Sequence, residues 1–563
     1  FGQFPSGLAI PMTVLGLESG QAVGAGSVPT IRIQDPMFGF ETPIRAVRND
    51  EPPLRLRAGS SDASRPLLRL EDARGARHDA AAITPWGGYA LNPYVIAQIP
   101  GTEQTRWVID PFAFLRAALA LPDIPVPDTT TENGRRLMFI HIDGDGFPSL
   151  SERAGAPLAG QVLLEQVLKR YRLPTTMSVI EGEVAPHGMF PQLSKAMENV
   201  ARQIFALPYI EIASHTYSHP FDWLRTSRGQ EAAAGTADYH LPIAGYRADL
   251  AREIIGSTEY IRKNLAPPGK PVRILLWSGD AEPEAQALRL TAQAGLLNMN
   301  GGNTIATRSY PSLTAVSALG IGIDGMFQTY APVMNENVFT NLWTGPFYGF
   351  ERVIETFQIT GAPRRIKPIN IYYHSYSASK TASLNALHKV YEWSLAQSPH
   401  LIFASDFIHK ALDFNAIVVA RENDAWRIRG NGDLRTVRAP DSLGIPDAAG
   451  SQAVAGHHPG SEGNYVHLVD GDALLRFSTS PSRPAAPYLR EANARIADWQ
   501  AGSDSLRFTL KGHQPLEFTL AASPRCSVSI DGKPLKPRRV NGDLLEFRLS
   551  DAAATIETRC RDR

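Results

Sequence analysis

Between Arg135 and about residue 414, short apolar runs alternate with longer segments whose apolar residues recur at helical spacing. The predicted strands are Leu137–Ile142, Thr175–Ile180, Tyr209–Ala213, Val272–Trp277, Pro368–Tyr373 and Leu401–Ala404. The predicted helices are Ala159–Arg172, Gln192–Leu207, Tyr246–Leu265, Pro283–Ala294, Tyr348–Ile359, Lys380–Leu395 and a last one ending at Leu412. This alternation is typical of a parallel sheet with helical crossovers, and its length suits a (β/α) barrel. The pattern alone leaves an open sheet as the alternative.

Two carboxylates follow the first of these strands. The apolar run that begins at Leu137 ends in Asp143 and Asp145, with a glycine after each of them. Folds of this class carry their chemistry at the carboxyl ends of parallel strands. Asp and Gly also favour simple turns, so the motif gains weight only from what lies near it in the fold.

Two histidines follow the third strand. Tyr209–Ala213 leads into His215 and His219, which are four residues apart, and Pro220 closes the segment. A single helical turn would bring the two imidazoles together. Carboxylates and imidazoles together form a ligand set suited to Zn²⁺ and its neighbours.

The segments on either side of the alternating region differ from it. Residues 1–133 read as a mixed, β-rich domain that ends in a Pro- and Thr-rich linker, without a catalytic motif. Residues 415–563 read as short strands separated by turns such as Asn431-Gly432 and Asp531-Gly532, which predicts a β-sandwich. The intervening residues 134–414 are the predicted barrel.

Composition limits the classes of partner. The sequence has 56 Lys and Arg against 56 Asp and Glu, so nothing in its charge favours nucleic acid or an anionic membrane. No apolar stretch is long enough for a membrane span. The two cysteines, Cys526 and Cys560, form either a disulfide or two free thiols. Because the chain begins with Phe1 and shows no signal peptide, we expect a fragment or a processed product.

The Asp-Gly-Asp segment at Asp143 and the Ser-His-Thr-Tyr-Ser-His-Pro segment that ends at Pro220 resemble the first two motifs of the NodB-type polysaccharide deacetylases (carbohydrate esterase family 4). The stretch from Arg135 to Phe414 resembles the Pel-type exopolysaccharide deacetylases more closely. The resemblance implies an α/β fold, a distorted and incomplete (β/α) barrel, flanked here by the N-terminal β-rich domain and the C-terminal β-sandwich.

The resemblance also implies roles for particular residues. Asp143 would be the catalytic base, and the metal ligands would be Asp145, His215 and His219. His374, at the end of the strand Pro368–Tyr373, would be the catalytic acid. In the family the two aspartates are adjacent, whereas Gly144 separates them here, which leaves open which one is the base.

The family's Arg-Pro-Pro motif, which orients the base, is not found. The segment Leu276–Pro283 lies at a comparable place and supplies two candidate substrate-site residues, and a third comes from the polar, Gly-rich segment Asn298–Thr304, which could also be only a turn. Trp277 would form a wall for a sugar ring, Asp280 would stand in as the group that orients the base, and Asn300 would line the sugar site.

The resulting expectation is metal-dependent de-N-acetylation of an N-acetylhexosamine exopolysaccharide during biofilm matrix synthesis and export. The divalent metal would be zinc, with cobalt or nickel as alternatives. The resemblance further implies a periplasmic location and partners in an exopolysaccharide export complex. Two alternatives are a catalytically silent glycan-binding scaffold and a metal-dependent glycosyltransferase, although the latter would not explain His215 and His219.

Overall fold

The structure is a computed structural model that describes residues 15–19, 28–45, 54–56, 64–233, 238–478 and 486–560. The chain forms two compact units. One comprises Phe1–Asp123 with Ser309–Val316, and the other comprises Ile124–Arg308 with Ser317–Arg563. The division into domains at residues 133 and 414 stays a prediction.

The first unit is rich in short antiparallel strands. Its strands are Leu17–Ser19, Thr30–Gln34, Leu54–Leu56, Arg65–Glu71, Arg77–Thr84, Gly87–Ala90, Ile96–Gln98 and Thr105–Trp107. Its helix, Pro111–Ala118, begins at the Asp110 cap, whose carboxylate accepts from the amides of Phe112 and Ala113.

The second unit contains a ten-stranded, mostly parallel sheet within the described residues. Its strands, in spatial order, are Thr131–Glu132, Arg135–Asp143, Thr175–Val179, Ile210–Ser214, Val272–Leu276, Leu297–Met299, Met326–Thr329 and Gly320–Ile323, while Ile369–His374 and His400–Leu401 both pair with Arg135–Asp143. This mixed α/β architecture with a curved sheet and additional β regions is compatible with the expected distorted barrel.

The sheet is buried on both faces, which explains its nearly continuous apolar strands. All residues from Leu137 to Asp143 are buried, and so are all residues of Ile210–Ser214. Helical segments cover the faces at Ala159–Tyr171, Glu181–Val184, Pro191–Ala206, Trp223–Ser227, 250–265, Ala285–Gln293, Gly349–Ile359, Thr381–Ala396 and Ala404–Ala416.

The predicted elements of this region are present, and most of their bounds differ by one or two residues, whereas the last helix ends at Ala416 instead of the predicted Leu412. Two other elements also differ by more than two residues. The helix predicted from Tyr246 begins only at Leu250. The last strand is reduced to His400–Leu401, and a helix begins at Ala404, where the strand was expected to end. In each case local apolar periodicity gives the type of element but not its terminus.

The C-terminal region consists of several antiparallel sheets with two hydrophobic cores. The strands around the first core are Val418–Glu422, Ala425–Arg429, Thr436–Ala439, Ile445–Pro446, Val454–Gly460, Gly463–Leu468, Asp472–Leu475 and Phe477–Ser478, joined by Val126–Pro127 from the predicted linker. Those around the second are Tyr488–Ala492, Arg495–Ala501, Ser505–Lys511, Glu517–Ala521, Ser527–Ile530, Lys533–Pro534, Arg539–Asn541, Leu544–Arg548 and Ala553–Arg559. The predicted single sandwich is thus two β modules.

Two side chains fasten the large sheet to the second β module. Arg135 forms ion pairs with Glu491 and Glu517, and the Asn133 amide donates to the Ala494 carbonyl. Cys526 and Cys560 form a disulfide, which resolves the alternative left open by the sequence. Among the described residues, no helix is both long and apolar enough to cross a bilayer.

Candidate active site

The carboxyl edge of the large sheet gathers the five residues expected to carry the chemistry. Asp143 and His374 end adjacent strands and are direct register partners. His215 immediately follows Ile210–Ser214. Asp145 and His219 lie in the loops just beyond. Residues far apart in sequence therefore meet because parallel strands end at the same edge.

Asp145 faces both imidazoles. Its Oδ2 lies 3.0 Å from His215 Nε2, and its Oδ1 lies 2.8 Å from His219 Nε2. His215 Nδ1 lies 2.9 Å from the Leu276 carbonyl oxygen, so Nδ1 carries the hydrogen and Nε2 bears the lone pair of a neutral ring. That lone pair points at a carboxylate, and only a positive species between them, a proton or a metal cation, makes the arrangement favourable.

These residues fit a divalent metal. One ligand atom from each of Asp145, His215 and His219 lies within 4.8 Å of the others, so the group could hold a metal ion. Asp143, Asp145 and His374 form a second such group, and Asp145 belongs to both. The His215–Leu276 hydrogen bond is the contact by which proteins fix the tautomer of a metal-binding histidine. Two imidazoles and a carboxylate are donors typical of zinc sites.

The histidines converge through a strained turn rather than the single helical turn that their spacing predicted. Thr216 (φ 69°) and His219 (φ 55°) both have left-handed backbone conformations, which are costly for residues other than glycine. Buried Glu253 holds the turn: its Oε2 accepts from the amides of Tyr217 (2.9 Å) and Ser218 (2.8 Å). No sequence motif pointed to Glu253, which lies 34 residues beyond His219.

Gly144, which separates the two aspartates, has a steric reason to be glycine. A Cβ at this position would lie 2.6 Å from the Ile180 nitrogen and 2.7 Å from the Val179 Cα. The loop therefore passes directly against the neighbouring strand. Buried Glu183 accepts a hydrogen bond from the Gly146 amide (3.3 Å), and burial beside Asp145 raises the pKa of Glu183 to about 8.

Asp143 is held by side chains instead of backbone. Its Oδ2 accepts from the Tyr372 hydroxyl (2.7 Å) and from Asn300 Nδ2 (3.0 Å). Oδ1 has only a long contact of 3.4 Å to Asn300 Nδ2. Burial raises the pKa of Asp143, and the charges of His215 and His374 oppose that rise. Tyr372 stays a neutral donor because burial and Asp143 raise its pKa well above 10.

A buried relay fixes the orientation of Asn300. Asn370 Nδ2 donates to His141 Nδ1 (3.0 Å), so His141 carries its hydrogen on Nε2 and donates to Asn300 Oδ1 (3.1 Å). The Asn300 amide nitrogen must then face Asp143. Burial lowers the pKa of His141 to about 3, which keeps this ring neutral. His141 and Tyr372 are polar residues inside apolar runs, and that was the available signal for them.

His374 is paired with a carboxylate that sequence reasoning missed. Its Nδ1 lies 3.1 Å from both oxygens of fully buried Glu336, and its Nε2 points to the site, 3.9 Å from Asp143 Oδ2 and 4.0 Å from Asp145 Oδ2. Burial alone would lower the pKa of His374, but Glu336, Asp145 and Asp143 raise it to about 10. Glu336 lies in an irregular segment, where periodicity carries no signal.

The structure contradicts two of the three substrate-site expectations. Trp277 is 1% exposed, packs edge-to-face on Trp223, and so offers no face to a sugar ring. The Asp280 carboxylate accepts from the amides of Trp223 and Glu282, and the described residues show no bond from it to Asp143. Asn300 lies at the site and contacts Asp143, whereas a role in lining the sugar site stays a prediction.

Aromatic rings flank the site on two sides. Trp343 packs edge-to-face on Phe347 and lies against Tyr376, whose ring lies parallel to His374 at 4.9 Å. On the other side, the ring of Phe221 lies 5.2 Å from that of His219. Aromatic rings beside polar groups are typical of carbohydrate sites, since sugar rings present both apolar C–H faces and hydroxyls.

No protein-family model and no curated protein matches the chain. Among solved structures, a CE4 family pseudoenzyme from Bacillus anthracis aligns at 11% identity and TM-score 0.29, over 52% of this chain and 72% of its own. A peptidoglycan N-acetylglucosamine deacetylase aligns at 11% identity and TM-score 0.29, over 50% and 91%. A 4-alpha-glucanotransferase from Thermococcus litoralis aligns at 8% identity and TM-score 0.31, over 76% and 100%. Likeness at this level fixes neither a family nor a reaction.

Proposed function

We propose that this chain is a metal-dependent polysaccharide de-N-acetylase. The observation that carries the proposal is the convergence at one sheet edge of a carboxylate–imidazole ligand set, a supported carboxylate and a histidine–carboxylate pair. Hydrolysis of an acetamide needs a base for the attacking water and an acid for the departing amine. The proposed base, Asp143, and the proposed acid, His374, are register partners on neighbouring strands.

Asp143 acts as the base through Oδ1. Tyr372 and Asn300 occupy Oδ2, whereas Oδ1 is free of short hydrogen bonds from described residues. The two donors also fix the plane of the carboxylate. Asp145, in contrast, directs one oxygen at each imidazole, which supports the assignment of Asp143 as base and Asp145 as ligand.

His374 acts as the acid through Nε2. Glu336 holds Nδ1 and stabilises the imidazolium, so the ring is protonated at neutral pH, in keeping with its pKa of about 10. Nε2–H then points toward the space shared with Asp143. Proton transfer from this atom to the leaving nitrogen would complete cleavage and release acetate.

Asp145, His215 and His219 would hold the divalent metal, which we propose to be zinc, with cobalt or nickel as functional substitutes. When bound there, such an ion supplies Lewis acidity toward the carbonyl oxygen and lowers the pKa of water. The turn held by Glu253 and the His215–Leu276 bond orient these donors before any ion arrives.

The proposed substrate is an N-acetylhexosamine exopolysaccharide of the Pel type. The aromatic rings of Trp343, Tyr376 and Phe221 beside the site support a carbohydrate, and the sequence resemblance supports this polymer class. Action in the periplasm during matrix synthesis, with partners in an export complex, belongs to the same proposal.

The test is acetate release from an N-acetylglucosamine oligomer and from a small acetyl ester. Three preparations are compared: purified, chelator-treated, and chelator-treated protein restored with Zn²⁺ or Co²⁺. Asp143→Asn and His215→Ala are measured in parallel. Exposed His409→Ala and Asp504→Asn are the matched controls, since both make the same chemical change away from the site.

We expect activity to disappear on chelation, to return with metal, to be absent in both site variants and to be unchanged in both controls. Sugar binding without acetate release under every condition would instead identify a silent glycan-binding scaffold. Activity that ignores both chelation and the substitutions would show that the reaction takes place elsewhere.

A further inference from the structure

A cleft of about 400 Å³ that the proposed reaction does not use lies between the second β module and two residues of the first, Arg435 and Val469. Its charged and aromatic lining residues are Arg435, Arg495, Lys511, Asp498 and Trp499. Three cations against one carboxylate give the cleft a positive potential. A space of this size accommodates one or two sugar rings.

Arg495 and Lys511 place like charges side by side. They are direct register partners on the antiparallel strands Arg495–Ala501 and Ser505–Lys511. Like charges in that position repel and destabilise the pairing. The nearest carboxylate to Arg495 is Asp433, at 3.9 Å, and no described residue forms an ion pair with Lys511. Of the two cations, only Arg495 is thus partly balanced by an ion pair among the described residues.

Arg435 adds a third charge at the back of the cleft. Its guanidinium donates to two backbone carbonyls, those of Gly432 and Ile496, each at 2.9 Å. Carbonyls position the group without cancelling its charge, and no carboxylate of the described residues hydrogen-bonds to it. Burial and the neighbouring Arg495 lower the pKa of Arg435, whereas the carboxylates of Glu132, Asp470 and Asp433 act in the opposite direction.

A bulge presents Trp499 beside these cations. The register shifts between Ala497 and Gln500, and Asp498 adopts a left-handed conformation (φ 51°). The strand lies at the edge of its sheet. Bulges of this kind redirect a side chain and often accompany functional sites. The indole lies 5.3 Å from Phe508, so the ring is anchored while still lining the cleft.

We propose that this cleft binds a carboxylated sugar residue of a polysaccharide. The indole provides a face for the apolar side of a pyranose ring, and the cations provide partners for the carboxylate. Nucleic acid would require an extended basic stripe, whereas this positive surface is one compact cleft on a chain of zero formal net charge. The proposal is independent of the deacetylase reaction and makes the second β module a glycan-binding module.

The test is calorimetric titration of the whole chain with a tetragalacturonate. Probes for comparison are a neutral N-acetylglucosamine tetramer, inorganic phosphate and a single-stranded DNA oligonucleotide. We expect binding of the uronate that weakens with added salt, and at least about tenfold weaker binding of the other three, since each lacks either the charge or the ring. Equal affinity for phosphate or for DNA would overturn the sugar assignment.

Variants locate the binding. Lys511→Glu and Arg495→Glu should each weaken uronate binding about tenfold or more, because each replaces an attractive charge with a repulsive one. Trp499→Leu, which keeps apolar packing on Phe508, should also weaken it. Exposed Lys533→Glu, at the opposite edge of the same sheet, is the matched control.

Acetate release by the same variants separates this proposal from the proposed function. All four should release acetate from the small ester at the normal rate. Uronate binding that survives both charge reversals would overturn the cleft proposal and leave the deacetylase proposal untouched. Uronate binding by the unsubstituted chain that is lost in both charge reversals, together with no acetate release by that chain in any metal state, would do the reverse.

Discussion

The two halves of the candidate site are held in different ways. The ligand half is fixed mainly by backbone and by one carboxylate under a turn: the Leu276 carbonyl holds His215, and Glu253 holds the amides before His219. The acid–base half is fixed by side chains: Tyr372 and Asn300 hold Asp143, and Glu336 holds His374. The first half preorganises ion binding, and the second sets the orientation and protonation of groups that exchange protons.

The largest expected effect separates the two halves directly. His215→Gln should lose both bound zinc and activity, because it removes a ligand. His374→Gln should keep about the normal zinc content while losing about 10²–10⁴-fold in kcat, the usual contribution of a general acid. Elemental analysis beside kinetics checks this. Loss of zinc in both variants would show that the halves are one unit.

Glu336→Gln should change the pH dependence rather than the metal content. Glu336 raises the pKa of His374, so the acid stays protonated, and activity is lost only as the pH rises through that pKa. With the charge removed, the pKa falls and the alkaline limb of the kcat/KM profile should move to lower pH. An alkaline limb that does not move would show that this limb reports the titration of a group other than His374. Glu355→Gln, a carboxylate elsewhere on the same unit, is the control.

Asn300→Ala should have an intermediate effect. It removes one donor to Asp143, and a hydrogen bond to a charged group is worth about 1.5–3 kcal/mol, which predicts about a 10- to 100-fold lower kcat with unchanged zinc affinity. His141→Gln should lower kcat in the same direction and by less, since it acts only through Asn300. A rise in KM at unchanged kcat would place Asn300 in substrate binding instead.

The smallest effect is expected at Asp280. Its carboxylate accepts hydrogen bonds from the amides of Trp223 and Glu282 and none from a described residue of the site. Asp280→Asn should therefore leave kcat within about twofold and lower the free energy of unfolding by about 1 kcal/mol. Kinetics and chemical denaturation measure the two quantities. A large loss of kcat at unchanged stability would restore Asp280 as a group that acts on the base.

The sequence by itself predicted the alternation of strands and helices, the strands that end at Asp143, His215 and His374, and the β character of the C-terminal region. Periodicity and polar residues at strand ends are local features, so they can be recognised in the sequence without knowledge of the tertiary structure. The same local features wrongly predicted that Trp277 would face a sugar ring. Whether an indole is buried depends on what packs against it, which here is Trp223.

Only the tertiary structure decided which side chains support the chemistry. Glu253, Glu336, Asn300 and Tyr372 reach their partners across 35 to 229 residues of chain, and no spacing rule connects positions so far apart. The cleft around Trp499 likewise requires a bulge and two neighbouring strands to bring its charges together. Catalytic groups can be found from sequence because strands deliver them, whereas the groups that hold them in place are selected by packing.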